Sequence, residues 1–352
     1  MPCFSIVIPA FNPNAKDFSS CLQSIAEQVF SDYEVVVVDD GSDDAGVVSS
    51  IVDASPIASL TRVVRTANGG PYAARRRGIS VSSGDYIVNM DADDELIGRD
   101  ALSRISDALE EIYQPDYLLI NATRDMRNLA PFCDYAGLAM AGRSLSVTTP
   151  REFNALFIDN NGLNSACCKV IKRELFEEIK GELPHIVMAD DRYLCLDFLP
   201  KATKAGLLNV PLYYYRASVG STTRSAYKFE LYEQVDYVEQ RVLEWLDACR
   251  YDESDWARGY LGLTSNHLCA LCRNPSYSKA DLERACESLA MLPSLKRALC
   301  FLENLETESF EARQLGLLKD GAYSRFVSIT QSHNMKNRVL GLFGAAKARL
   351  LR

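Results

Sequence analysis

Val35-Val36-Val37-Val38-Asp39-Asp40-Gly41-Ser42-Asp43-Asp44 joins four β-branched residues to an acidic turn that contains glycine. A run this apolar and this short reads as a strand buried on both faces, the kind found in parallel sheets. The same signature recurs on either side, at Phe4 to Ile8, Thr61 to Val64, Tyr86 to Val88 and Tyr117 to Ile120. Between these runs lie helical spacings: Leu22, Ile25 and Val29, then Ala73, Arg77 and Val81 with Ile79 near the same face. Strand and helix in alternation predict βαβ units and a doubly wound α/β domain with a mostly parallel sheet.

The segment from Ala130 to Thr149 is rich in Gly, Ser and Thr and reads as an irregular or hairpin insertion. After Thr223 the pattern changes. Leu231, Val235, Val238, Val242 and Leu246 keep helical spacing with Glu and Asp on the other face. Helical patterns continue to the end, so a boundary near residue 225 separates a domain of residues 1–225 from an all-helical extension of residues 226–352.

The 352 residues include 47% hydrophobic and 24% charged side chains, an ordinary globular balance. A net charge of -9 argues against nucleic acid as a general partner, since phosphate backbones require clustered positive charge. Cys3 to Ala10 is too short for a signal peptide, lacks a basic leader and ends in Pro9 and Asn12. No stretch approaches the roughly 18–20 apolar residues of a spanning helix. The 11 cysteines follow no framework spacing and read as reduced thiols of a cytoplasmic protein. Cys269 and Cys272 form a CxxC on an apolar helical stretch, where core thiols are a better reading than metal ligands.

In open α/β sheets, ligands bind beyond the carboxyl ends of the strands. Those ends carry Pro9-Ala10-Phe11-Asn12, Asp39 to Asp44, Asn68-Gly69-Gly70 before a helix with Arg75, Arg76 and Arg77, and Asp91-Ala92-Asp93-Asp94. Carboxylates beside an arginine-bearing helix start suit a metal-bound pyrophosphate, with guanidinium and backbone N–H groups for the phosphates. The plainer alternative is helix capping, for which Asp43 and Asp44 are well placed. No G-x-G-x-x-G and no P-loop follows the first strand.

These residues resemble a known family. Ser5-Ile-Val-Ile-Pro-Ala-Phe-Asn12, Val36-Val-Val-Asp-Asp-Gly-Ser42, Asn68-Gly69 with Ala74-Arg75, and Gly84-Asp-Tyr-Ile followed by Asp91-Ala-Asp-Asp94 are similar to the inverting glycosyltransferases of the GT-A fold, glycosyltransferase family 2. The resemblance returns at Lys172-Arg-Glu-Leu-Phe176, Asp190-Asp191, and Tyr213-Tyr-Tyr-Arg216 with Ser221-Thr222. It implies that Pro9, Ala10, Phe11, Asn12, Asp39, Asp40, Asn68, Gly69, Arg75, Asp91, Ala92 and Asp93 form a nucleotide-sugar site. Pro9 and Asp40 would face the base, Asp40 accepting the uracil N–H of a UDP-sugar, and Arg75 the ribose or diphosphate. Asp91 and Asp93 would hold Mg²⁺ or Mn²⁺, Asp93 more directly. Asp191 would be the general base, with Asp190 the second acid.

The resemblance further implies a hexosyl or N-acetylhexosaminyl group passed to a hydroxyl of a saccharide or lipid-linked oligosaccharide, in surface polysaccharide synthesis. Three positions depart from the family pattern: Asp190 stands where Glu is usual, Arg76 where Asn is usual, and Cys168-Lys169 where Asn-Lys is usual. Two alternatives stay open: a binding protein of this fold that does not catalyse transfer, and a nucleotidyltransferase. The second would carry a glycine- and basic-rich loop after the first strand. From Asn334 to Arg352 there are five cations (Lys336, Arg338, Lys347, Arg349, Arg352) and no acid, while Val339, Leu342, Phe343, Ala346 and Leu350 share a helical face. Such a helix suits either an anionic membrane surface, on the inner face of the cell membrane, or docking on an acidic body.

Overall fold

The runs Phe4 to Ile8, Val35 to Val38, Tyr86 to Val88 and Tyr117 to Ile120 pair on both edges in a central sheet, whereas Thr61 to Val64 forms its edge strand, paired on one side and only partly covered, against the buried strand expected there. The computed structural model describes residues 3–131, 145–148, 164–216, 229–249, 251–305 and 309–350. Its first part runs β1 (Phe4–Ala10), α1 (Ala15–Ala26), β2 (Tyr33–Asp39), α2 (Val47–Asp53), β3 (Thr61–Arg65), α3 (Gly70–Val81) and β4 (Tyr86–Asn89). There follow β5 (Glu95–Leu96), α4 (Ala101–Glu111), β6 (Tyr117–Thr123), β7 (Leu145–Thr148), β8 (Lys169–Lys172), α5 (Asp190–Phe198) and β9 (Ala205–Tyr214). The sheet order is β3-β2-β1-β4-β8-β6-β9-β5, with β7 also against β9.

The first four strands pair in parallel, as the βαβ alternation requires. Beyond them the sheet is mixed: β8 runs antiparallel to β4 and β6, β9 runs parallel to β6, and β5 and β7 run antiparallel to β9. Several strands outlast their apolar runs, because backbone pairing continues into polar residues such as Asp39, opposite Ala10.

Two helical assignments need correction. Helix α1 stops at Ala26, and Val29 lies beyond it at 61% exposure, so the hydrophobic spacing overran the helix. On α3 Ala73 and Ile79 are buried and Val81 packs on the core as the spacing predicts, but Arg77 is exposed, and Ala74 and Gly78 lie against the sheet instead. Gly78 explains the difference. A Cβ there would lie 2.5 Å from Val7 Cγ1, so the helix rests on β1 at a distance that only glycine permits. Of the segment expected to be an insertion, residues 145–148 form β7, and residues 132–144 lie outside the described ones.

Two compact units divide the chain, Met1–Ser221 and Thr222–Arg352. The described part of the second is helical: α6 (Tyr232–Cys249), α7 (Glu253–Leu271), α8 (Lys279–Ala290), α9 (Pro293–Ala298), α10 (Phe310–Lys319) and α11 (Tyr323–Leu350), with short 3₁₀ turns. Val235, Val238, Val242 and Leu246 are buried as the spacing predicts. Asp236 and Glu239 are buried as well, against expectation, because Asp236 accepts from Ser294 N at 2.8 Å and Glu239 from Trp256 Nε1 at 2.7 Å. Cys272 is buried, which pushes its thiol up to about 12, as expected of a core thiol; Cys269 is half-buried and accepts from Gln314 Nε2 at 3.5 Å. No helix among the described residues is long and apolar enough to cross a membrane. Ser221 and Thr222, and the side chains beyond residue 337 on which the basic amphipathic face was read, lie outside the described residues.

Candidate functional site

The carboxyl ends of β1, β2 and β3 are tied together by short polar contacts. Asn12, at φ 45°, donates from Nδ2 to Asp43 Oδ2 and accepts from Asp43 N, both at 2.9 Å, while its own N–H reaches Ser42 Oγ at 2.9 Å. Gly41, at φ +78°, passes so close to the β3–α3 loop that a Cβ would sit 2.7 Å from Asn68 N. Asp44 accepts from Gly46 N at 2.9 Å in an Asx turn ahead of α2; the helix N-cap is Gly46 itself, so neither Asp43 nor Asp44 caps the helix with its side chain. Phe11 stands 51% exposed at the rim, and Asn68 is exposed as well.

Asp39 and Asp40 serve this framework directly. Asp39 accepts from Ser42 N at 2.9 Å and pairs with Arg65; burial works upward on its carboxyl, but Ser42 and Arg65 outweigh it and hold the pKa below the ordinary value. Asp40 is buried at 4% exposure and accepts from Gly69 N and Gly70 N, both at 2.9 Å, one on each oxygen. Burial nonetheless raises its pKa, with the two backbone donors opposing. The N–H groups at the start of α3, expected from the sequence to face phosphates, are therefore taken by Asp40. A carboxylate one strand away satisfies donors that the helix leaves unpaired.

One turn into α3, Arg75 is buried at 4% exposure and gathers three acids from two distant segments. Its Nη2 lies 2.7 Å from Asp91 Oδ1; its Nη1 pairs with Asp190 and lies 3.2 Å from Asp191 Oδ1. Asp190 and Asp191 open α5, where Ala189 turns the chain at φ 63° so that both acids fall in the first helical turn. Burial works against the Arg75 charge, but Asp191, Asp91 and Asp190 outweigh it and hold the guanidinium well above its ordinary value. Burial and then Asp191 push Asp190 up, with Arg75 opposing; burial also raises Asp191, again against Arg75. Three carboxylates converge on the Arg75 guanidinium, and buried Lys169 also acts on Asp191, so acids outnumber cations here by three to two.

The turn Asp91–Asp94 is fixed from β9. Asp91 N donates to Tyr213 Oη at 3.0 Å, and that hydroxyl donates to Asp94 Oδ2 at 2.7 Å. Arg216 N donates to Asp94 Oδ1 at 2.8 Å and Arg216 Nε to Asp93 O at 2.9 Å. Asp94 is buried, and burial, with Asp91 next, raises its pKa. The sequence placed Tyr213 and Arg216 in a motif without a role; hydrogen bonds to a turn some 120 residues earlier leave no mark on local pattern.

Arg76, beside Arg75, faces elsewhere: it pairs with Asp197 at 3.0 Å, donates to Glu177 O at 2.8 Å and lies over Phe176. Lys172 and Arg173 bind Asp116 Oδ1 at 3.0 Å and Gly84 O at 2.8 Å, a scaffolding role.

No group of three or more His, Cys, Asp or Glu side chains placed to hold a metal occurs among the described residues. A small hard dication does not need one, since it is commonly held by one or two carboxylates and completed by phosphate oxygens and water. Asp91 and Asp93, two residues apart in one turn and partly exposed beside an excess of negative charge, fit that partial set.

The glycosyl transferase family 2 profile matches residues 5–180. A mycobacterial PGL/p-HBAD biosynthesis glycosyltransferase from Mycobacterium bovis BCG is 34% identical over 118 residues, 34% of this chain and 45% of that protein; the chain thus matches under half the length of this relative. The glycosyltransferase GlyG of Streptococcus pneumoniae is 28% identical over 67% of this chain and 77% of its own length. Among solved structures, residues 1–349 of Staphylococcus aureus TarS, in complex with UDP-GlcNAc, align with a TM-score of 0.65 at 19% identity, over 95% of this chain and 92% of that one. That likeness is one of fold: the α/β sheet followed by helices.

Proposed function

The chain belongs to glycosyltransferase family 2, and from that premise we propose that it transfers a sugar from a UDP-sugar to a hydroxyl of a saccharide or lipid-linked saccharide, with inversion and with help from Mg²⁺ or Mn²⁺. The convergence of Asp91, Asp190 and Asp191 on buried Arg75 carries the reading: it unites an acidic turn suited to a metal-bound diphosphate with acids suited to proton removal. Residues 1–225 form the catalytic part in this reading, and residues 226–352 the helical extension.

The donor lies along Pro9 to Asn12, Asp39, Asp40, Asn68 and Gly69, with its diphosphate toward Arg75 and the Asp91-Ala92-Asp93 turn. Asp40 Oδ1 also accepts from Thr66 Oγ1 at 3.4 Å, but Oδ2 keeps a lone pair beyond its one backbone donor, which suits the single imide N–H of uracil. TarS, which shares the fold, was crystallised with UDP-GlcNAc, a donor of this class. Asp91 and Asp93 would hold the cation, which when bound would supply charge neutralisation for the departing diphosphate.

Asp191 takes the acceptor proton as the hydroxyl oxygen bonds to the anomeric carbon and the bond to the diphosphate breaks. It lies farther from Arg75 than Asp190 does, and its side chain is more exposed, 32% against 18%, so it has the better access to an acceptor. Arg75 holds both acids in place. Calorimetry of UDP and GDP in Mn²⁺ and in EDTA tests the proposal. UDP should bind more tightly with metal than without, more tightly than GDP, and Asp93→Ala should remove the metal gain while the fold persists. Equal UDP binding in Mn²⁺ and EDTA refutes the metal role; tighter GDP refutes the donor assignment.

A further inference from the structure

We propose that Tyr213 and Arg216 are positioning residues that set the Asp91–Asp94 turn for its cation, so that the end of the last strand determines the geometry of the metal site. The inference rests on the reading of Asp91 and Asp93 as cation ligands. Between them the two residues engage the Asp91 N–H, the Asp93 carbonyl and both carboxylate oxygens of Asp94. Two of these contacts are to the peptide groups of the ligand residues themselves, which is how an outer shell fixes the direction of a ligand.

The clamp stands on a rigid base. Tyr213 is 1% exposed and sits opposite Leu96 in the β5–β9 pairing, while Tyr214 sits opposite Glu95, so the turn feeds straight into a strand bonded to its own clamp. Arg216 also pairs with Glu95, on that same short strand, and lies 3.6 Å from Asp17 of α1. The planar guanidinium thus bridges the Asp93 carbonyl and two carboxylates, a task that needs several donors in a fixed plane.

Tyr213→Phe removes one hydroxyl and leaves the ring packed. Arg216→Lys keeps the charge but loses the fork. Tyr86→Phe is the control, deleting a buried hydroxyl that donates to Pro115 O at 2.9 Å, away from the turn. The readouts are UDP calorimetry across a Mn²⁺ series, the spin-resonance signal of bound Mn²⁺, and thermal stability. In both clamp variants the Mn²⁺ concentration for half-maximal UDP binding should rise about 10–100-fold, the usual cost of losing an outer-shell partner. UDP binding in EDTA should not change, and Tyr86→Phe should lower stability alone. If Tyr213→Phe fails to fold, Arg216→Lys decides. An unchanged Mn²⁺ requirement in the folded clamp variants overturns the clamp, even if they are less stable. Should the wild-type protein itself bind UDP without regard to Mn²⁺, the metal reading beneath the proposal is what has failed.

Discussion

The turn after β2 and the turn after β4 are both rich in aspartate, both end buried strands on the same edge of the sheet, and are built to opposite ends. In the first, donors match acceptors: Ser42 and Arg65 serve Asp39, Gly69 and Gly70 serve Asp40, and Gly46 serves Asp44. In the second, acids outnumber cations, with Asp91, Asp190 and Asp191 sharing Arg75. A satisfied cluster is a joint between secondary-structure elements. A cluster left with surplus charge can accept something from outside, a cation or a proton, and the excess is what makes chemistry available there.

Replacing one charge in the second cluster should therefore affect turnover far more than folding. For Asp191→Asn the expectation is a fall in kcat of about 10²–10⁴-fold, the usual worth of a positioned base, with UDP affinity nearly unchanged. Asp190→Asn should cost less, and steady-state kinetics on both variants would show it. The reverse order would make Asp190 the base and Asp191 the partner.

Replacing a charge in the first cluster should instead be felt by the fold. Asp40→Ala strands two backbone donors at the start of α3 and should destabilise by about 1–3 kcal/mol in denaturant titration. A neutral result would mean that water reaches Gly69 and Gly70 and that the first turn is less closed than its contacts suggest.

The smallest effect is also the most direct contrast. Asp39 titrates below its ordinary value of about 4, so its contribution is complete above that value and is lost as pH falls through the folded pKa. Asp190 titrates above the ordinary value; the folded state keeps a proton that the unfolded chain releases, so stability declines as pH rises from about 4 toward the folded pKa. Melting temperatures should show the Asp39→Asn deficit opening as pH rises through the folded Asp39 pKa and holding constant above about 4, where Asp190→Asn begins to gain on the wild type. Parallel curves for the two variants would erase the distinction between the clusters.

Much of the first cluster and half of the second can be read in the sequence, for a physical reason. Parallel βαβ units place each strand end at a predictable edge, so Asp39, Asp40, Asp91 and Asp93 announce themselves by following apolar runs. The mixed half of the sheet offers no such signal: β8 is four residues with lysine at each end, and β9 contains Gly206, Asn209 and Pro211. Lys169 can be buried there because Nζ donates to Ser165 O at 2.7 Å, a contact hidden from periodicity. The part of Arg75 that matters most, its reach to acids 115 residues downstream, is likewise a property of the folded chain. Family resemblance marked Arg75 and Asp191 separately; it did not say that they touch.

Gly78 lies one helical turn beyond Arg75, pressed against Val7 and Val38 where no larger side chain has room. The thickness of the layer between helix and sheet at that point is thus set by a missing methyl group, and Arg75 extends from a support of fixed height. A rigid arm on a fixed support works as a gauge: how far the guanidinium overlaps its three acids is decided by packing beneath the helix rather than by anything at the site. Drift in the apolar residues below would be registered above as a change in charge balance, and this ties the permissible sequences of an ordinary-looking core to the electrostatics of the acidic cluster it carries.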